Sequence, residues 1–100
     1  MPEKAKILPW DETIARLEEG SYAEVVNLHG VKRRAVVRSI VTDGQGGTGP
    51  VIYFDNELAS NGSPSSITIH PADCEEGRAG VTRILNPSDV EGVSFSYKNI

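Results

Sequence analysis

The residues best able to carry chemistry in this 100-residue chain gather in three places. The densest is His70-Pro71-Ala72-Asp73-Cys74-Glu75-Glu76. A zinc centre needs three or four converging ligands, neutral imidazole with thiolate or carboxylate, at about 2.0–2.3 Å. His70, Asp73 and Cys74, with His29 from elsewhere in the fold, offer the residue types but neither a Cys-x-x-Cys nor a His-x-x-x-His spacing. The same segment holds a Cys–His nucleophile pair. Thiolates form beside positive charge, however, and Cys74 is flanked by Asp73, Glu75 and Glu76, which favour the neutral thiol. The segment therefore reads as a strand end followed by an acidic turn. No catalytic residue, metal ligand or cofactor is assigned to the chain.

The second place is basic. Lys32, Arg33, Arg34 and Arg38 put four of the ten Lys and Arg residues within seven positions. On a strand, alternation sets Lys32, Arg34, Val36, Arg38 and Ile40 on one face and Arg33, Ala35 and Val37 on the other. A face that mixes arginine with aliphatic side chains has the composition of an interface. Lys32, Arg34, Val36, Arg38 and Ile40 are accordingly the expected partner-binding residues. The competing reading is a solvated strand face whose charges discourage edge aggregation and pair with Glu24 or Asp55 across the sheet. Nucleic acid is a further possible partner, with the net charge of −4 standing against it.

The third place is Asp43-Gly44-Gln45-Gly46-Gly47-Thr48-Gly49-Pro50, a formal G-x-G-x-x-G match. A dinucleotide fingerprint needs a helix to begin at its last glycine, so that free N–H groups meet the pyrophosphate. Here Pro50 and an apolar strand pattern follow, which makes the segment a hairpin loop. With His29 and His70 the only histidines, general bases are scarce, and neither a Ser-His-Asp order nor an H-E-x-x-H motif occurs. Tyr22, Tyr53 and Tyr97 read as tyrosines at the edge of the core.

Such residues must be positioned by a small framework. The composition is 38% hydrophobic and 24% charged with one cysteine, as in a single soluble domain that forms no internal disulfide. No uninterrupted apolar run exceeds four residues, against the roughly 20 a membrane helix needs. The opening residues lack the apolar core of a signal peptide, and a cytoplasmic location is expected. Residues 1–8 read as a flexible arm and residues 9–100 as one domain. Pro9, Asp11, Glu12 and Gly20 bracket a helix over 10–19, with Trp10, Ile14 and Leu17 on one stripe and Glu12 facing Arg16. Strand patterns follow at 22–28, 31–41, 51–54, 66–70, 81–85 and 93–97, with His29-Gly30 as the first hairpin turn. No second helical pattern is visible.

A helix followed by short strands, with His29-Gly30 between the first two, resembles in outline the Sm-like RNA-binding barrels over about residues 10 to 85. That family closes its first hairpin with Asn-Gly and opens its second signature with an Ile-Arg-Gly type motif. Here Leu28-His29-Gly30 and Ile69-His70-Pro71 stand at those places. The resemblance thus implies a barrel but carries no RNA-contacting residue onto this chain. Arg34-x-x-x-Arg38 with Asn61-Gly62-Ser63 downstream is similar to the PilZ-type cyclic-dinucleotide receptors. There the arginines occupy a mobile N-terminal segment, whereas here they fall inside an expected strand. Neither family is assigned.

The expectation is a mainly β fold, α+β at the margin: a small antiparallel sheet of about five to six short strands curled into a barrel and capped by one N-terminal helix. The expected function is a non-enzymatic binding or protein-interaction module, working through a protein partner or as a homo-oligomer. Nucleic-acid or nucleotide binding through the basic strand face is the alternative, and a small enzyme or metal protein centred on His70 and Cys74 the second.

Overall fold

The computed structural model describes residues 6–42 and 49–95. In chain order it contains α1 (Trp10–Arg16), β1 (Tyr22–Val26), β2 (Lys32–Val41), β3 (Val51–Asn56), β4 (Ser66–Ile69), α2 (Pro71–Glu75), β5 (Gly80–Leu85) and a 3-10 turn at Pro87–Val90. The strands form one antiparallel sheet in the order β4-β3-β2-β1-β5. This ladder ends on β4 at one side and β5 at the other, so its hydrogen bonding is that of an open sheet rather than of the expected closed barrel.

Alternation along the strands builds two cores. On one face Ala23, Val25, Ala35, Val37, Ile52, Phe54, Ile69 and Val81 are buried with Leu17, Cys74 and Ala79. Trp10, Ile14 and Leu17 pack there, as the stripe on α1 requires. Ile7 and Leu8 join them, and Leu8 N–H donates to Val81 O at 2.8 Å, so the end of the expected arm lies along β5. The approach is close enough that a Cβ on Gly80 would stand 2.6 Å from Ile7 Cγ2. On the other face Val36, Leu85, Val90 and Phe95 form a smaller cluster with Tyr22 and Val93.

Three local expectations change. The helix α1 stops at Arg16 rather than at residue 19, because Leu17 is already extended and Glu18–Ser21 forms a turn in which Ser21 N–H reaches Glu18 O. The segment 71–80 is not all loop: Pro71 starts the five-residue α2, and His70 N–H donates to the Asp73 carboxylate at 3.3 Å. The expected sixth strand is reduced among the described residues to one bridge between Glu57 and Phe95. Residues 43–48, most of the glycine-rich loop, and Tyr97 lie outside the described residues.

Candidate recognition surface at the first hairpin

The basic strand does not keep its five expected residues on one surface. Val37 pairs with Phe54 and Ser39 with Tyr53, leaving Arg38 as an extra residue on β2. A bulge of this kind shifts the alternation by one residue. Ile40 consequently faces Ile52 and packs on the first core, away from Lys32, Arg34 and Val36. Val36 is only 2% exposed beneath Phe95, Val90 and Leu85. Of the two aliphatic members of the expected patch, Val36 is therefore interior and Ile40 is half-buried against the first core.

The arginines are engaged as well. Arg38 donates through Nε to Asp55 Oδ2 at 3.1 Å and through Nη2 to Oδ1, and the Asp55 side chain is only 1% exposed. Arg34 holds Glu57 Oε2 from Nε at 3.1 Å and Nη2 at 2.7 Å, while Glu57 N–H donates to Arg34 O. Register places Arg83, Glu24, Arg34 and Glu57 side by side across the sheet. The signs alternate along this row, which is the favourable order for cross-strand neighbours. Glu24 also accepts from Thr82 Oγ1 at 2.8 Å, and its other oxygen lies 3.8 Å from Arg83 Nε. The pairing expected for a solvated charged face is thus present for Arg38 with Asp55, while Glu24 takes Arg83.

What this row leaves over is positive. Lys32 and Arg33 are exposed and have no ion-pair partner among the described residues. They line a shallow concavity of about 290 Å³ with Glu24, Arg34, Glu57, Arg83 and Asp89. The carboxylates on its wall already have donors: Arg34 for Glu57, Thr82 and Arg83 for Glu24, and Asn86 N–H for Asp89.

Directly before Lys32 lies the hairpin Asn27-Leu28-His29-Gly30-Val31. Asn27 N–H donates to Val31 O and Gly30 N–H to Asn27 O, closing a three-residue loop. The third position needs a left-handed residue, which Gly30 supplies at φ +79°. Asn27 Oδ1 accepts from both His29 N–H and Val31 N–H, at 2.8 and 3.0 Å. Four such bonds define the backbone path of the loop. Two of its side chains, Leu28 at 65% and Val31 at 44%, are the exposed large hydrophobic residues among those described. Neither is among the residues expected to meet a partner; an aliphatic residue beside His-Gly, where polar residues are usual, is the signal the sequence offers for this surface.

The His70–Glu76 segment is packed and hydrogen-bonded into the fold. Cys74 is buried in the first core, and its thiol is pushed up to about 11 by burial first, then by the charges of Asp73 and Glu75. Asp73 is committed to His70 N–H and to Arg78, at 3.2 Å. Among the described residues no group of three His, Cys, Asp or Glu side chains is arranged to hold a metal ion. The thiolate is scarce below pH 9, so iodoacetamide should modify Cys74 at pH 8 about a hundredfold more slowly than an unperturbed thiol of pKa 9.0. The rate should climb until the pH passes about 11, and the raised value means that the thiol's stabilising effect is lost over the same range. A fast reaction at pH 8 in the folded protein would contradict this placement.

No helix among the described residues is long and apolar enough to cross a membrane. The chain matches no protein-family model, no curated protein and no solved structure.

Proposed function

We propose that this chain is a non-enzymatic interaction module that binds an acidic, partly apolar segment of a protein partner at its first hairpin. Leu28 and Val31 supply apolar contact, and Lys32 and Arg33 supply charge. The supporting observation is their coincidence: among the described residues, the exposed large hydrophobic residues sit on one hydrogen-bonded loop, next to two cations that no carboxylate neutralises. A preformed loop loses little freedom on binding, and an apolar centre with a cationic rim favours a complementary acidic ligand. A polyphosphate backbone would need a continuous run of cations, and the carboxylates of Glu24, Glu57 and Asp89 interrupt it around the concavity, whereas an acidic residue of a peptide need meet only Lys32 or Arg33.

Selection of random peptides displayed on phage tests the reading. The wild-type protein should enrich sequences in which Asp or Glu adjoins Leu, Ile or Phe, and a Lys32→Glu/Arg33→Glu variant should lose that enrichment. Enrichment without acidic residues, or retained on the variant, would contradict it. So would tight binding of a single-stranded RNA oligonucleotide that weakens steeply with salt and vanishes in the same variant, since this would make nucleic acid the ligand.

A further inference from the structure

The two edges of the sheet are finished differently. Along β5 the chain's own Ile7 and Leu8 cover the outer side, anchored by Leu8 N–H on Val81 O. Along β4 no strand or arm is hydrogen-bonded to the outer side among the described residues. The donor pattern fixes what that edge displays. Asn56 N–H donates to Ser65 O at 3.0 Å, so Phe54 with Ile67 and Ile52 with Ile69 are the pairs that exchange hydrogen bonds within the sheet. The N–H and C=O groups of Ser66 and Thr68 then point outward, and both residues are exposed.

Edge strands are usually guarded by charge, proline, a bulge or a covering segment. The strand β4, Ser66-Ile67-Thr68-Ile69, has none of the first three, and no Asp, Glu, Lys or Arg occurs from Leu58 to Ala72. We infer that β4 pairs antiparallel with β4 of a second copy, Ser66 opposite Thr68 of the other chain and the two Ile67 residues meeting across the two-fold axis. In this register the outward N–H and C=O of Ser66 and Thr68 on both chains all find partners, and the half-buried Ile67 gains cover. The occupant follows from self-complementarity: the two-fold pairing matches every outward donor of this strand with an acceptor of its copy, and the uncharged stretch from Leu58 to Ala72 sets no like charges opposite one another despite the net charge of −4. With only four residues per strand, the contact is smaller than the roughly 1,200 Å² of a stable interface, so the dimer should form at high concentration and dissociate on dilution.

This surface is separate from the hairpin and stands or falls independently of it. Sedimentation velocity from low micromolar to near-millimolar concentration should show the weight-average mass rising towards twice the monomer. Thr68→Pro removes only an outward N–H, a place where an edge strand tolerates proline, and Thr68→Lys adds an edge charge without touching the backbone. Both variants should stay monomeric throughout, with the melting temperature of the dilute wild type, while Lys32→Glu/Arg33→Glu should dimerise unchanged. A wild type that is monomeric at the highest concentration would overturn the inference. A dimer that survives both Thr68 substitutions, or one abolished by Leu28→Asp, would do the same.

Discussion

Replacing Phe95 by alanine should destabilise the protein by about 3–5 kcal/mol, the usual cost of removing a fully buried phenylalanine. Phe95 is 1% exposed, and its ring lies 5.7 Å from that of Tyr22 at a tilt of 33°. With Val90 and Leu85 it covers Val36 on the smaller of the two cores. Among the described residues its segment is held by the bridge to Glu57 and by Leu58 N–H on Ser94 O rather than by a full strand ladder. Few contacts could therefore replace the lost ring. The loss would uncover Val36, one of the residues expected to meet a partner, together with its neighbour Leu85. Chemical denaturation measures the effect directly. A loss below about 1 kcal/mol would mean that the C-terminal segment does not seal this face, and that Val36 is available to a partner after all.

The second large effect belongs to Arg38. Arg38→Ala should cost about 3 kcal/mol, because it strands the buried Asp55 carboxylate without its cation. The half-exposed guanidinium itself contributes little by Coulomb attraction in water; the penalty comes from the charge left behind. A double-mutant cycle separates these effects. In an Asp55→Asn background, where no charge is stranded, the same Arg38→Ala change should cost less than about 1 kcal/mol. Equal costs in both backgrounds would show that Arg38 acts through packing of its aliphatic stem and not through Asp55. Either result bears on function, since an arginine required to neutralise a buried carboxylate is poorly placed to serve an external ligand.

These two residues also show where the sequence was informative. Strand existence was legible for five strands, because β-branched residues alternate between punctuating Gly, Pro, Asn and Ser clusters. The first hairpin was legible from His29-Gly30, since a glycine at the left-handed position is what that loop demands. The bulge at Arg38 was not. A period-two pattern has no memory of an inserted residue, and Arg-Ser-Ile-Val reads equally well in either alternation. That one residue moved Ile40 to the opposite face and divided the expected binding stripe. The helix α2 was missed for a different reason: five residues do not complete two turns, so no apolar periodicity can appear, and only Pro71 followed by Asp73 hinted at a helix start. The covering of Val36 was beyond local reading, because it depends on Phe95 returning to β2 from nearly sixty residues away in sequence.

The candidate surface was legible in part. Lys32 was identified from charge density and remains exposed, whereas Arg34 and Arg38 were identified equally well and are paired within the protein. Nothing in a one-dimensional charge run distinguishes a cation facing Glu57 or Asp55 from one facing solvent. Arg33 was set aside because alternation turned it from the stripe, yet at the end of the sheet it lines the same concavity as Lys32 and Arg34.

The proposed site of recognition is the hairpin carrying Leu28, Val31, Lys32 and Arg33. Its most direct test is an amide-detected NMR titration of the labelled protein with the best acidic–apolar peptide recovered by selection. The shifts should concentrate on Asn27 to Arg33 and leave β4 and α2 unmoved. Shifts centred on Ser66–Ile69 or on the His70–Glu76 segment, with the hairpin silent, would contradict it.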